Sequence, residues 1–184
     1  EVDLAPVFSK AGIALRPEGA EKLIPEENRI QLCNGESVSY DYLVVATGPE
    51  LAFDEVPGLG PKGHTQSICQ VGHAVEAKAA VDRLIANPGP VIIGAAQGAS
   101  CFGPAYEFVM IVDADLRRRK LRDRVPITYV TPEPYIGHMG LGGVGDSKGL
   151  LESTLRERDI RWITSARVTS VDAGNLKLDE VDAK

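Results

Sequence analysis

The chain has 184 residues, 43% hydrophobic and 25% charged, with a formal net charge of −6 and a pI near 5.1. That is the balance of a globular domain, or of one domain and a part, with enough apolar residues to build a core. The acidic balance argues against a nucleic-acid partner, and no apolar run reaches the roughly 20 residues of a membrane-spanning helix. No secretory leader pattern is present. Glu1 stands where an initiator Met is expected and Leu178–Lys184 is polar, so the sequence reads as a segment of a longer protein. The three cysteines, Cys33, Cys69 and Cys101, match no zinc spacing and allow at most one internal disulfide. Neither a metal site nor a disulfide scaffold is expected.

In chain order, Val2–Ala11 is weakly helical, and 12–15 and 20–24 read as short strands. Arg29–Leu32 and Glu36–Tyr40 flank Asn34-Gly35, a hairpin signal. Leu43-Val44-Val45-Ala46 is a continuous apolar run, predicted as a buried strand ending at Thr47-Gly48-Pro49. The Pro/Gly-rich stretch 56–61 marks a boundary, and a helix is predicted from about Val71 to Ala86, stopped by Asn87-Pro88-Gly89.

From Pro90 strands and helices alternate. Strands are predicted at 91–93, 127–130 and from Arg161. A helix is predicted over 104–121, with apolar residues at Phe108, Ile111, Val112 and Leu116. Another spans 146–158, capped by Asp146 or Ser147, and a hairpin pairs 168–171 with 176–178. Alternation of this kind implies a parallel sheet built by crossovers. The fold class is therefore α/β and Rossmann-like, with flanking helices and a small antiparallel hairpin or meander. Two domains are expected, an incomplete one over 1–49 and a dinucleotide-binding one over 50–184. There is no internal repeat or low-complexity segment. The basic cluster Arg117–Arg124, interleaved with aspartates, reads as a solvated helix end, where cations suit the dipole.

The turn after the first strand of the second half reads Gly94-Ala95-Ala96-Gln97-Gly98-Ala99-Ser100-Cys101. A full dinucleotide fingerprint would be G-x-G-x-x-G from Gly94, but positions 96 and 99 are Ala. The turn keeps the outline of a pyrophosphate loop without a good cradle, and it gains a cysteine predicted just inside the following helix. Helix N-termini favour the thiolate, the reactive form of cysteine. The alternative reading is a small buried Cys filling a helix–sheet gap. Cys33, beside the hairpin turn, reads as structural, His64 as exposed and Trp162 as core. His138, in Gly137-His138-Met139-Gly140, lies either in a flexible turn or in a loop over a cofactor or partner surface.

The run Tyr40-Asp41-Tyr42-Leu43-Val44-Val45-Ala46-Thr47-Gly48 resembles the second flavin-binding motif of two-dinucleotide-domain flavoproteins. The segments 65–74, 94–108, Thr131-Pro132-Glu133-Pro134-Tyr135-Ile136-Gly137-His138 and 143–149 narrow the resemblance to sulfide:quinone oxidoreductases, over nearly the whole chain. That resemblance implies FAD, with Ala46, Thr47 and Gly48, and Gly94 and Gly98 in the second loop, as cofactor-binding positions. It implies that Cys101 is the first of a redox cysteine pair whose second member lies beyond Lys184. Cys69 matches a family cysteine near the flavin, sometimes linked to it, and His73 a histidine near the flavin or quinone end. Glu107 matches a carboxylate that handles protons.

The implied activity is oxidation of sulfide to polysulfide or sulfur, with electrons passed through FAD to membrane quinone. The implied partners are sulfide, quinone, and a membrane surface met through a C-terminal part, with homo-oligomers open. The implied location is peripheral on the bacterial cytoplasmic membrane. The first flavin fingerprint is absent from this sequence, so the segment alone is expected to be inactive. The alternatives are the flavin subunit of a sulfide dehydrogenase with a cytochrome acceptor, a type II NADH:quinone oxidoreductase, and a non-catalytic, cofactor-free domain.

Overall fold

The computed structural model describes residues 2–180, so Val181–Lys184 of the polar C-terminal run lie outside the described residues. The chain divides between Glu50 and Leu51 into two compact units.

The first unit begins with α1 (Leu4–Lys10), whose N-terminal amides are capped by Asp3. The Asp3 carboxylate accepts from Ala5 N–H at 3.0 Å. Three short strands follow, β1 (Ala20–Ile24), β2 (Arg29–Leu32) and β3 (Ser37–Ser39), paired antiparallel in that order. The Asn34-Gly35 turn forms as its chemistry demands. Gly35 takes a φ of 87°, and the Asn34 side-chain oxygen accepts from Glu36 N–H at 2.9 Å.

Two expected strands are absent here. Residues 12–15 are irregular, with Ile13 and Leu15 exposed. The apolar run 43–46 is not a buried strand either. It is irregular, and Val44 and Val45 are 86% and 68% exposed. Apolar character alone does not make a strand; its N–H and C=O groups need a neighbour. The sheet ends at β3, and among the described residues no strand pairs with 43–46.

The second unit is built on β-α-β alternation. Its elements are α2 (Val71–Ala86), β4 (Val91–Gly94), α3 (Gly103–Arg118), β5 (Ile127–Val130), α4 (Ser147–Glu157), β6 (Ile160–Ile163), β7 (Ala166–Asp172) and β8 (Asn175–Glu180). Strands β4, β5 and β6 form a parallel sheet in that order, with Val91, Ile127 and Ile160 in register. The pair β7–β8 is a separate antiparallel hairpin. Strand β6 begins one residue before the predicted Arg161, at the core residue Ile160, and the hairpin extends past its predicted ends, with Ala166 buried at its start.

The core is the seam between α3 and the sheet. Tyr106, Val109, Val112 and Leu116 recur every three or four residues, so they fall on one face of the helix. They pack with Ile93, Ile127, Tyr129 and Ile160 of the strands and Leu155 of α4. Each such side chain contributes about 1.5–3 kcal/mol when fully buried. Ile111, expected on this face, points to solvent. Trp162 packs at the edge of the core with the Arg156 guanidinium 5.3 Å from its ring centroid.

Helix α3 stops three residues before its predicted end. Lys120 turns left-handed at φ 59°, and Leu121 and Lys120 donate back to the carbonyls of Leu116 and Arg117. This closes the helix in a Schellman motif.

The basic cluster after this stop is not simply a solvated helix end. Arg118 and Arg119 pair at the surface with Asp115, but Arg122 is buried. Its Nε sits 2.7 Å from Asp113 Oδ1, and its terminal nitrogens donate to the carbonyls of Val125, Arg158 and Asp159. Asp113 is 0% exposed and also accepts from Arg117 at 2.9 Å and Arg158 at 2.8 Å. A carboxylate buried in α3 therefore captures three arginines and ties the helix to the α4–β6 turn.

Burial alone would push the Asp113 carboxyl upward. The hydrogen bonds from Arg117, Arg158 and Arg122 outweigh it and hold the pKa below its ordinary value. A depressed folded pKa contributes stability above the unfolded value of about 4, and loses it as pH falls through the folded value. Replacing Asp113 by Asn leaves Arg122 buried without a counter-charge and should cost about 3 kcal/mol or more in chemical denaturation. The variant should also show a flatter loss of stability below pH ~4 than the parent.

Candidate functional site

The last residue of β4, Gly94, is a glycine because nothing larger fits. A Cβ there would overlap the Val130 carbonyl of β5. The backbone continues the parallel ladder one residue further, Ala95 N–H donating to Val130 O at 3.0 Å. It then turns through Gly98 at φ 80°, where no atom lies within 4 Å of a would-be Cβ.

The two alanines that break the glycine fingerprint are used in packing. Ala96 packs on the Val56, Val168 and Val171 cluster, and Ala99 on the main core. Between them the Gln97 amide plugs into the hairpin. Its Nε2 donates to Val168 O and its Oε1 accepts from Val168 N–H, both at 2.9 Å. The loop is thus stitched down by its own side chains where a dinucleotide loop would leave glycine backbone open.

Cys101 leaves this loop with its side chain exposed and in no disulfide among the described residues. It does not lie inside the helix as expected. Phe102 is the N-cap and Gly103 the first residue of α3, so Cys101 precedes both. Phe102 is buried in the core, and anchoring it fixes the turn that presents the thiol. Cys101 is therefore not a buried gap-filler.

The neighbouring loop, 131–147, packs against the same turn. A side chain at Gly140 would touch the Phe102 ring at 3.4 Å. One at Gly103 would meet Met139 Cε at 3.8 Å and Cys101 Sγ at 3.9 Å. The loop is pinned by Glu133, which is 2% exposed. Its carboxylate accepts from the Tyr106 hydroxyl at 2.7 Å, the Thr131 hydroxyl at 2.7 Å and Met139 N–H at 2.6 Å. The Tyr106 oxygen in turn accepts from Gly137 N–H at 3.0 Å.

Tyr106 stacks on Tyr129 with ring centroids 4.6 Å apart. Burial pushes the Tyr106 phenol well up, the bond from Gly137 pulls it back, and Glu133 raises it further. Burial, then Tyr106 and Glu133, raise Tyr129. Both phenols stay neutral at working pH, which keeps the Tyr106 hydroxyl a donor. Nothing in the sequence pattern singles out Glu133, Tyr106 or Gln97. Only the pairing of a buried acid with hydroxyl residues on another element reveals them.

The other expected site residues are spread. Cys69 is exposed and precedes α2, whose N-cap is Gln70, so it lies outside the helix that carries His73. His73, in the first turn of α2, lies with its ring 5.8 Å from Phe53, and its Nδ1 is buried without a hydrogen-bond partner. Glu107 is on α3, exposed, and shares no helix with Cys101. His138 sits in the pinned loop with its ring 5.2 Å from Tyr135, edge to face. In the first unit, Ala46, Thr47 and Gly48 are exposed, and Gly48 takes φ 79° with open space at its Cβ position. Cys33 is exposed on the hairpin turn and His64 in its loop.

A parallel sheet whose first strand turns through glycines into a long helix, with an antiparallel hairpin beside it, is a Rossmann-like α/β architecture. The fold is shared with a ferredoxin reductase from Rhodopseudomonas palustris, at TM-score 0.62 and 16% identity, over 95% of this chain and 38% of that one. No family model matches the chain.

A sulfide-quinone reductase from Aquifex aeolicus is 42% identical over 181 residues, 98% of this chain and 41% of that protein. The crystal structure of the sulfide:quinone oxidoreductase of Aquifex aeolicus superposes at TM-score 0.86 over all of this chain and 42% of that one. Over the span it shares with them, the chain is similar in sequence and fold to these two proteins. It spans about two fifths of the length of these relatives. No described helix is long and apolar enough to cross a membrane.

Gln97 gives a direct check on how the loop is held. Gln97→Leu removes both bonds to Val168 and should cost about 1–3 kcal/mol. The Val168 amide should lose its hydrogen-exchange protection while the Tyr129 amide in the sheet keeps its own.

Proposed function

We propose that the chain is part of a flavoprotein that oxidises sulfide and reduces quinone, with Cys101 as the reacting sulfur. The observation that carries this reading is the exposed thiol on a buried anchor. Phe102 fixes the turn, and Cys101 stands at the carboxyl end of β4, where folds of this type bind ligands. The name of the Aquifex relative supplies the substrates.

In the proposed step a hydrosulfide sulfur bonds to one sulfur of a disulfide that includes Cys101. The old S–S bond breaks, its electron pair leaves on the other sulfur as thiolate, and the hydrosulfide proton passes to a base. The partner cysteine comes from beyond Lys184 in this reading. His73 and Glu107 are the candidate bases, and Cys69 is a second thiol for sulfur transfer.

Ala46, Thr47 and Gly48 suit a flavin. They are open, and Gly48 leaves its backbone approachable from the side a Cβ would block. Bound there, FAD would supply two-electron acceptance. In the second loop the observations favour a structural use. Gly94 is demanded by Val130, Ala96 and Ala99 are half-buried and packed on the two apolar clusters, and the Gln97 amide is spent on Val168. That loop suits neither a pyrophosphate nor a nicotinamide nucleotide, which supports sulfide over NADH as the electron donor. A quinone acceptor implies a protein that works at a membrane surface.

The test is quinone reduction by the full-length protein in membranes, with sulfide and with NADH as donor. Activity with sulfide alone is expected, and Cys101→Ala should lower it by at least about 100-fold, the scale of losing a nucleophile. Activity with NADH alone, or full sulfide activity in Cys101→Ala, would overturn the reading.

A further inference from the structure

Glu133 is buried, carries a carboxylate and makes no ion pair among the described residues. Its three donors come from three places: Tyr106 on α3, Thr131 after β5, and Met139 in the loop itself. The Met139 N–H that it holds belongs to a residue in the left-handed region, φ 57°, a conformation the backbone does not choose unaided. The Met139 side chain and the Cys101 thiol converge on Gly103. One face of the clasp holds the loop and the other holds the helix that starts beside Cys101.

We infer that Glu133 is a positioning residue: through Met139 N–H and the Tyr106 hydroxyl it fixes the 137–143 loop against the Phe102–Gly103 turn, and so sets how large a reactant can reach Cys101. The inference rests on the reading of Cys101 as the reacting thiol only for its meaning in catalysis. The geometry and its test do not depend on turnover.

A carboxylate accepts from all three donors at once. In Glu133→Gln one oxygen becomes an NH2 that must face a donor, so at least one bond is lost. The loop then opens locally while the core under α3 stays packed.

The experiment uses the full-length protein, reduced beforehand. It measures by peptide mass spectrometry the labelling rate of Cys101 with iodoacetamide, a small reagent, and with fluorescein maleimide, a bulky one. Glu133→Gln and Tyr106→Phe should raise the maleimide rate about five-fold or more and the iodoacetamide rate less than about two-fold, as local opening of one loop requires. An unchanged ratio of the two rates would overturn the inference. So would a parallel rise in both with loss of near-UV circular dichroism, since general loosening admits both reagents alike. Should Glu133→Gln fail to fold, Met139→Ala decides. It leaves the clasp intact, removes the side chain over the turn, and should raise the same ratio; no rise would refute the role. Loss of sulfide activity with an unchanged ratio would also count against the clasp, whereas a raised ratio in a protein without sulfide activity would leave the clasp standing and remove the functional reading instead.

Discussion

Everything in the second unit hangs on one face of α3 being buried against a three-stranded parallel sheet. Val109, Val112 and Leu116 give the helix its apolar seam, and that seam fixes where both of its ends must lie. At the C-terminal end, Asp113 looks inward and gathers Arg117, Arg122 and Arg158, so the α4–β6 turn is bound to the helix. At the N-terminal end, Phe102 is drawn into the same core, and the residue before it, Cys101, is left outside. Exposure of the thiol is thus a by-product of burying its neighbour.

Two polar groups then fasten the loops that flank this thiol, and they differ in kind. The Gln97 amide mimics a strand partner, offering Val168 one donor and one acceptor in the spacing a backbone would. The Glu133 carboxylate only accepts, and so must be fed by hydroxyls and an amide. Neutral phenols beside it fit that demand, because an ionised tyrosine would turn a donor into a repelling charge. The loop that once resembled a nucleotide cradle has its interior taken up by these contacts.

Much of the second unit was legible in the sequence because periodicity and turn residues report directly on burial. The α2 boundaries, strand β5, the Asp146 cap of α4 and the Asn34-Gly35 turn all follow from local chemistry. What local chemistry could not report is partnership. The apolar run at Leu43–Ala46 has the composition of a buried strand, but a strand is defined by its neighbours, and the described residues offer it none. Arg122 looked like one more solvated cation because its counter-charge, Asp113, lies nine positions away on another element. Cys101 reads as just inside the helix because nothing local marks Phe102 as a buried N-cap, which leaves Cys101 one residue before it.

The polar fastening of Met139 is through its main chain, while its side chain only packs against the core. Its amide is committed to Glu133 and its backbone to the left-handed region, while the thioether lies against the Phe102–Gly103 turn with no polar obligation. The fastening and the fitted surface are therefore separable. A lineage could exchange this one unbranched side chain for a longer, shorter or more polar one and retune what meets the thiol. It would do so without disturbing the clasp, because the Met139 amide and not its side chain bonds to Glu133.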